Sequence, residues 1–346
     1  MSKPIQVLLA DDSRTILRLF TELLAPAPDI RVVGTATDGK EAVALAHSLR
    51  PDVVTLDVRM PKMDGIDATE RIMAESPSRI LVISGAMDAE LSFKALQAGA
   101  VEVMLKPTPG RDGSLTTFGA QLISTIRTMA EIPLTRHKPL ISTPAPPPAL
   151  RGGRVHGFGL AAATGGPPAL AMLLSLLPQS LPFPLFIAQH VSAGFTSGLR
   201  QWLSAASALA LEVARTGMRP QPGHVYLPPD GHQLQVTATG ELLVELAHGR
   251  HAGVGDTLLS SLARAYGNRS GGVVLTGMGT DGAAGLLAIR RAGGLAMVQN
   301  PESCVASSMP EAALRLGAAD SSLPVEALAS AMRALSGALP VAPVRS

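Results

Sequence analysis

Residues 51–65 read PDVVTLDVRMPKMDG, a short apolar run that ends at Asp57 and passes into a loop with proline and glycine. Residues 7–13 read VLLADDS, a second apolar run that ends at Asp11 and Asp12. Continuous runs of apolar, often β-branched residues are typical of strands buried on both faces, as in parallel sheets. The two stretches therefore predict buried parallel strands with acidic residues at their carboxyl ends.

Further apolar runs around these stretches extend the pattern over the first 108 residues. The predicted strands are Val7–Ala10, Val32–Thr35, Val53–Asp57, Ile80–Ser84 and Val101–Lys106. Between them, apolar residues recur at helical spacing, as at Ile16, Phe20 and Leu23. Strands that alternate with helices predict a doubly wound α/β domain whose functional site lies at the carboxyl ends of the strands.

Polar residues end four of these five strands: Asp11 and Asp12 the first, Asp57 the third, Ser84 the fourth and Lys106 the fifth. In a parallel sheet these ends converge on one edge. Crowded carboxylates repel one another, and a hard divalent cation such as Mg²⁺ relieves the repulsion through oxygen ligands. An aspartate in this position can act as a nucleophile toward a phosphoryl group, whose oxygens the lysine and the hydroxyl would hold.

These motifs, with ISG at 83–85 and LKP at 105–107, closely resemble the response-regulator receiver family over roughly residues 4–129, which implies a flavodoxin-like fold. The resemblance implies that Asp57 accepts a phosphoryl group from a histidine kinase, and that Mg²⁺ is bound beside it. The implied metal site comprises Asp12, Asp57 and the carbonyl of Arg59, with Asp11 close by, while Ser84 and Lys106 read the phosphate. Receivers usually carry an aromatic residue three positions before the lysine, and Val103 stands there, which implies altered coupling of the switch.

The composition changes after the first block. Residues 131–149 contain six prolines and show little periodicity, which predicts a semi-rigid linker. A proline-rich ligand for an aromatic groove is the alternative interpretation. We therefore place a receiver domain at 4–129, a linker at 130–153 and a second domain at 154–346.

Strands and helices also alternate in the second block. The predicted strands are Val155–Ala161, Leu185–Gln189, Gly272–Thr276 and Leu295–Val298. Two further runs, Gln233–Ala238 and Glu241–Leu246, are joined at Thr239-Gly240 and predict a hairpin. The pattern indicates a second doubly wound, Rossmann-like parallel-sheet domain with an inserted β-hairpin.

Glycine-rich or polar loops follow three strands of this block. The first, residues 157–166, has glycines that allow a tight turn, but Ala162 breaks the pattern of a dinucleotide-binding loop. The second begins at His190, and the third, TGMGTDG at 276–282, contains Asp281. A histidine and an aspartate at strand ends can form a general base and its orienting partner. Taken singly, a structural histidine and a helix-capping aspartate are the alternatives.

Four stretches of the second block resemble the chemotaxis methylesterase family of the CheB type, across residues 154–340. They are ATGGPPAL at 163–170, AQHVSAGFT at 188–196, PGHVYLPPDGHQL at 222–234 and VVLTGMGTDGAAGL at 273–286. In that family a serine in a Gly-Ala-Ser-Thr-Gly-Gly turn attacks the methyl esters of receptor glutamates, and particular receptor glutamines are deamidated. The resemblance implies that His190 and Asp281 are the catalytic base and its partner, and that the Met278 amide lies in the oxyanion hole. It also implies methyl-accepting chemoreceptors as partners, contacted peripherally at the membrane.

The serine of that turn aligns with Ala163, and Ala161 replaces a usual glycine nearby. Alanine has no nucleophilic atom, and loss of the nucleophile lowers the turnover of a serine hydrolase about 10⁶-fold. Thr164 is adjacent but matches the family's own threonine, and Ser192 is a remote substitute. Two hypotheses stay open: an esterase that works by another route, and a pseudoenzyme that binds and signals under control of Asp57 phosphorylation.

Composition and charge argue against several classes of protein. The formal net charge of +2 and the lack of a helix-turn-helix or basic recognition helix argue against a nucleic-acid partner. Cys304 is the single cysteine, which excludes an intramolecular disulfide and fits a reducing compartment. The first residues lack the apolar run of a signal peptide, and no apolar stretch is long enough to span a membrane. We expect a soluble, cytoplasmic protein.

Overall fold

The computed structural model describes residues 3–85, 89–107, 114–132, 155–191, 194–247 and 253–335. The chain divides into two compact units, Met1–Arg136 and His137–Ser346. From residue 133 on, the linker predicted at 130–153 lies outside the described residues, so the exact domain boundaries stay predictions. Among the described helices, none is both long and apolar enough to cross a membrane.

The first unit is built on a parallel sheet. Its strands are β1 (Ile5–Ala10), β2 (Ile30–Ala36), β3 (Val53–Leu56), β4 (Arg79–Ser84) and β5 (Glu102–Leu105). Its helices are α1 (Arg14–Leu24), α2 (Gly39–Leu49), α3 (Gly65–Glu75), α4 (Ala89–Gln97) and α5 (Ser114–Ala130). The strand order is β2-β1-β3-β4-β5 and every pair is parallel, which confirms the predicted doubly wound sheet.

Short polar side chains begin the helices that follow the first three strands. Ser13 caps α1, Asp38 caps α2 and Asp64 caps α3, each by accepting a backbone N–H of the first turn. The strand order reverses between β1 and β3, where ligands of such sheets bind beyond the carboxyl ends. The predicted acidic residues lie at this reversal.

The second unit is built on a larger parallel sheet. Its strands are β6 (Gly157–Ala162), β7 (Leu185–Gln189), β8 (Ala210–Val213), β9 (His224–Leu227), β12 (Ser270–Val274), β13 (Leu295–Gln299) and β14 (Ser321–Leu323), while β10 (His232–Val236) and β11 (Leu242–Leu246) form a separate antiparallel hairpin. Its helices are α6 (Gly166–Ser175), α7 (Thr196–Ala206), α8 (Val254–Tyr266), α9 (Ala283–Arg291), α10 (Ser308–Arg315) and α11 (Val325–Ala334). The strand order is β14-β13-β12-β6-β7-β9-β8. The Rossmann-like sheet and the inserted hairpin are thereby confirmed.

Three strands of this sheet were not predicted from the sequence: β8, β9 and β14. Strands β8 and β14 lie at the two edges of the sheet and are four and three residues long. Because an edge strand is only partly buried, its sequence does not need a continuous apolar run. Strand β9 has four residues between proline-containing loops, too few to establish a periodicity.

The central strand β6 lies between β12 and β7. Helix α8 packs closely on it, because a Cβ at Gly159 would come within 2.6 Å of side-chain atoms of both Leu259 and Leu262. The loops that leave β6, β7 and β12 therefore meet at one edge of the sheet, next to the first turn of α8. These are the loops predicted to carry the chemistry.

Candidate functional sites

The first candidate site lies at the carboxyl ends of β1, β3 and β5. The Lys106 Nζ atom lies 2.7 Å from Asp11 Oδ2 and 2.9 Å from Asp57 Oδ2, so one cation joins two buried carboxylates. Asp57 Oδ1 accepts the N–H of Val58, and Asp11 Oδ1 accepts the N–H of Ser13. These contacts orient both carboxylates at the strand edge.

Asp12 completes an acidic cluster with these two residues. One oxygen from each of Asp11, Asp12 and Asp57 can be chosen so that all lie within 4.8 Å of one another. Asp12 is exposed, whereas the other two are buried. Hard carboxylate oxygens at this spacing fit Mg²⁺, which prefers oxygen ligands and keeps several waters.

Burial governs the ionisation of the predicted phosphoryl acceptor. It raises the pKa of Asp57 to about 6, although the hydrogen bond from Lys106 acts in the opposite direction. Burial lowers the pKa of Lys106, but its hydrogen bonds to Asp11 and Asp57 outweigh burial and leave this pKa above its ordinary value. A divalent cation beside Asp57 would favour its carboxylate form.

Ser84 and Val103 lie on the neighbouring strands β4 and β5. The Ser84 hydroxyl is fully buried and lies 2.6 Å from the Ser92 hydroxyl on α4. Val103 is 4% exposed and offers no ring in the place where the receiver family usually has one. Arg59 and Asp12 line a cavity of about 480 Å³ next to the acidic cluster, together with apolar residues that include Met60.

The second candidate site contains a histidine–aspartate pair. His190 directly follows β7, and Asp281 lies in the loop between β12 and α9. His190 Nε2 lies 2.6 Å from Asp281 Oδ2. The His190 side chain is 30% exposed and the Asp281 side chain 14%, so solvent reaches the ring more than its partner. The sequence placed these two residues together, and the structure brings them into contact.

The Asp281 carboxylate is held mainly by the first turn of α8. It accepts the N–H groups of Gly255 and Asp256, each at 2.8 Å, as well as that of Gly282. Burial raises the pKa of Asp281, but the hydrogen bonds from His190 and from these N–H groups outweigh it, so the pKa lies below its ordinary value. Helix capping was the alternative interpretation of Asp281. In the first turn of α9, however, the N–H of Gly285 donates to Asp256 Oδ1.

Because Asp281 is an anion and can only accept, the Nε2 atom of His190 is the donor of their hydrogen bond. In the neutral imidazole this leaves Nδ1 with a lone pair, as a general base requires. The pair therefore has the chemistry of a base and its orienting partner.

Ala163 opens the turn between β6 and α6, which we call the 163–166 turn. The side chain of Ala163 is buried, at 8% exposure. Its N–H donates to the Thr276 carbonyl at 3.0 Å, and its carbonyl accepts the N–H of Gly166 at 2.7 Å. The neighbouring backbone is bonded to the histidine loop, since the His190 N–H donates to the Ala162 carbonyl. The turn is thus well ordered by hydrogen bonds although residue 163 ends in a methyl group.

Ala161 does not lie in this turn. It is a fully buried residue of β6, and its methyl faces the backbone next to Asp281. A Cβ at either Gly255 or Gly282 would come within 3.0 Å of the Ala161 Cβ. The extra methyl of Ala161 is therefore accommodated by glycines on the two segments that hold the aspartate.

Two further residues were predicted to take part in the chemistry, and the structure describes only one of them. Met278 follows Gly277, where a Cβ would lie 2.8 Å from the Ala163 Cβ, so this backbone passes next to the turn. Its role in an oxyanion hole stays a prediction. Ser192, the remote substitute nucleophile, lies outside the described residues.

Sequence reasoning missed the polar residues that bond the loops together. Gln189 Nε2 donates to the carbonyls of Ala163 and His190, and Thr276 Oγ1 donates to that of Thr164. The available signal was weak: each is a polar residue at the end of an apolar strand run, and their partners in the 163–166 turn lie 26 and 112 residues away in the chain. The backbone of Gly255 and Asp256 had no sequence signal at all.

Family models match both units. Residues 158–332 match the model described as CheB methylesterase, and residues 7–114 match the response regulator receiver domain.

Curated relatives span almost the full chain. One from Myxococcus xanthus, named protein-glutamate methylesterase/protein-glutamine glutaminase 3, is 48% identical over 95% of this chain and 93% of its own length. A relative with the same name from Anaeromyxobacter dehalogenans is 41% identical over 94% of this chain and 97% of its own. The crystal structure of the Thermotoga maritima CheB methylesterase catalytic domain is similar with a TM-score of 0.49 and 30% identity, over 52% of this chain and 98% of that one.

Proposed function

This chain belongs to the CheB methylesterase family and carries a response-regulator receiver domain, and from this we propose that it is a phosphorylation-controlled chemotaxis regulator directed at chemoreceptors. We further propose that its hydrolysis of receptor glutamate methyl esters, and any deamidation of receptor glutamines, is strongly impaired. The single observation that carries the proposed impairment is the alanine at residue 163, which we assign to the nucleophile position of the 163–166 turn.

The hydrogen bonds around the proposed active site support this assignment. His190 and Asp281 form a base and its partner, with Nδ1 of the ring available to accept a proton. A serine at residue 163 would offer that proton from its hydroxyl and attack the ester carbonyl with its oxygen. Alanine offers neither, so His190 can only assist a water molecule. Backbone donors near Met278 would still polarise the carbonyl, and one such donor is worth about 10²–10³ in rate.

The receiver unit supports control by phosphorylation. Asp57 would accept the phosphoryl group from a histidine kinase, and Lys106 is already placed to neutralise its oxygens. Asp11, Asp12, Asp57 and the Arg59 carbonyl would hold Mg²⁺, which supplies positive charge for the phosphoryl oxygens when bound. The Ser84 hydroxyl would hold a phosphoryl oxygen.

A second candidate function rests on the same alanine. Because the loops of the site keep their hydrogen bonds, the esterase domain could retain receptor binding without turnover, as a signalling pseudoenzyme. The two functions differ in whether any methanol is released. Binding of a chemoreceptor fragment by the unmodified chain without any methanol release, and with an affinity that Asp57 phosphorylation changes, would favour the pseudoenzyme.

The deciding experiment measures methanol release from membranes that carry methylated chemoreceptors. We expect the unmodified chain to release methanol near background, and Ala163→Ser to release it well above background. Ala205→Ser, which adds a hydroxyl on the exposed surface of α7, is the matched control and should change nothing.

Two outcomes would change the proposal. If the unmodified chain is already fast and Ala163→Ser has no effect, the nucleophile has been misplaced, and Ser192 becomes the first residue to replace. If Ala163→Ser is inactive but still binds receptor, the pseudoenzyme is the better description.

A further inference from the structure

Two side chains at the second site each bond the 163–166 turn to a neighbouring loop. Gln189 Nε2 donates to the Ala163 carbonyl at 2.9 Å and to the His190 carbonyl at 2.8 Å. It thereby joins the turn to the loop that carries the proposed base. Both acceptors are backbone oxygens, one in the turn and one at His190, so the bonds do not depend on what the side chain of residue 163 is.

Thr276 makes the equivalent connection on the side of β12. Its hydroxyl lies 3.0 Å from the Thr164 carbonyl and 3.1 Å from the Ala306 carbonyl, and it accepts the Ala306 N–H. The residue is 1% exposed, and Gln299 Oε1 accepts its N–H at 2.9 Å. Hydrogen bonds at its backbone N–H and at its hydroxyl therefore hold Thr276 in place.

The side chain of Gln189 also has an unfavourable feature. Gln189 Oε1 is buried and has no hydrogen-bond partner among the described residues. It lies against the backbone of Gly166, where a Cβ would approach to 2.1 Å. An unpaired buried acceptor destabilises the fold, so the two donated bonds of Nε2 are the favourable part of having glutamine at this position.

We propose that Gln189 and Thr276 are positioning residues that hold the 163–166 turn in the conformation of a nucleophile turn, although residue 163 carries no nucleophile. This inference rests on the proposed function only in assigning residue 163 to the nucleophile position. It deepens that proposal, because it makes the arrangement of the turn independent of the missing hydroxyl.

The test places a thiol at residue 163 and measures its reactivity. In the full-length chain carrying Ala163→Cys, the rate of alkylation by iodoacetamide is followed against pH. The unmodified chain is the background, because burial raises the pKa of Cys304 to about 12 and keeps that thiol unreactive near neutral pH. A thiol held beside His190 should form its thiolate at a lower pH than a free cysteine, whose pKa is about 8.5.

Gln189→Met or Thr276→Val is then added to the Ala163→Cys chain. Each keeps the size of the side chain but removes its donated hydrogen bonds. We expect the inflection of the alkylation profile to rise toward about 8.5, the value of a free cysteine. Gln179→Met, an exposed glutamine replaced in the same way, is the matched control and should leave the profile unchanged. A profile equally low with and without Gln189 and Thr276 would overturn the proposal.

Hydrogen exchange of the Ala163 and Gly166 amides gives a second readout that does not involve the thiol. Both amides donate within or next to the turn, and Gln189→Met and Thr276→Val alone should accelerate their exchange. Unchanged exchange in both variants overturns the positioning role whatever the thiol does. A third outcome is faster amide exchange in these variants while the alkylation profile of Ala163→Cys has the inflection of a free cysteine. That result supports the positioning role of Gln189 and Thr276. It counts against the placement of residue 163 beside His190, which is part of the proposed function.

Discussion

The two candidate sites use the same part of a parallel sheet, but their central residues differ in what they offer. In the first unit Asp57 directly follows the central strand β3 and carries the carboxylate that the proposed chemistry needs. In the second unit Ala163 follows the central strand β6 and carries only a methyl group. Hydrogen bonds nevertheless hold the surroundings of both positions, from Lys106 and a backbone N–H at Asp57 and from Gln189, Thr276 and backbone groups at the 163–166 turn.

The difference shows which parts of a site the fold itself requires. A serine hydroxyl is neutral, so its replacement by a buried methyl leaves few groups without partners. Asp281 is charged and accepts bonds from a ring and from three backbone N–H groups, all of which would lose their acceptor with it. Removal of Asp281 should therefore destabilise the fold more than a methyl group at residue 163 does, and the same reasoning applies to the buried carboxylates around Lys106.

The largest expected effect is the loss of activity when His190 is replaced in a chain whose residue 163 has been given a hydroxyl. If Ala163→Ser releases methanol, adding His190→Ala should remove that activity, by up to about 10⁶-fold, since nucleophile and base act as a unit. The measurement is methanol release from methylated receptor membranes, with His232→Ala, a histidine of the hairpin, as the control. Activity that survives His190→Ala would show that another residue is the base.

A similarly complete loss is expected at the first site. Asp57→Asn should abolish incorporation of phosphate from acetyl phosphate and Mg²⁺, because the amide cannot form an acyl phosphate. Asp64→Asn is the control, since this residue caps α3 and the change keeps an oxygen for the cap. Equal labelling of the Asp57→Asn chain would place the phosphoryl group on another residue.

Replacing Asp281, the proposed partner of His190, should have an intermediate effect. In the Ala163→Ser chain, Asp281→Asn should lower the rate of methanol release by about 10⁴-fold, as loss of the correct histidine tautomer does in a serine protease triad. A decrease much smaller than this would mean that the backbone alone orients His190.

The same substitution predicts a pH dependence of stability. The pKa of Asp281 lies below its ordinary value in the folded chain, so its contribution is present above the unfolded pKa of about 3.9 and is lost as pH falls through the lower folded value. The free energy of unfolding should fall less steeply in acid for Asp281→Asn than for the unmodified chain. Denaturant titrations at a series of pH values test this, and identical slopes would contradict it.

The smallest expected effect concerns Ala161, a buried residue of β6 next to the segments that hold Asp281. Gly255→Ala should destabilise the second unit by about 1–3 kcal/mol, because its Cβ would lie 3.0 Å from both the Ala161 Cβ and an Asp281 oxygen. Adding Ala161→Gly should recover part of this loss, since it removes one of the two close contacts. Thermal unfolding of the single and double variants measures the coupling, and strictly additive effects would show that the methyl of Ala161 does not fill this space.

The sequence alone determined the doubly wound class of both units and the types of residue at their predicted sites. Apolar runs placed the central strands, and acidic, histidine and glycine-containing stretches marked the strand ends where Asp57, His190 and Asp281 lie. The assignment of Ala163 to the nucleophile position also comes from the sequence, through the local pattern of the turn around it, and stays a prediction. These features share one property: each is encoded in a few consecutive residues, where periodicity and loop composition act.

Only the tertiary structure decided which groups hold the sites together. Asp281 is oriented by backbone N–H groups 25 and 26 residues away, and the Thr276 hydroxyl reaches a carbonyl 112 residues away. Backbone donors carry no side-chain signature, and a buried polar residue has no sequence pattern that reveals its partner. The edge strands β8 and β14 were missed for a related reason, since pairing with a neighbouring strand and not their own hydrophobicity makes them strands.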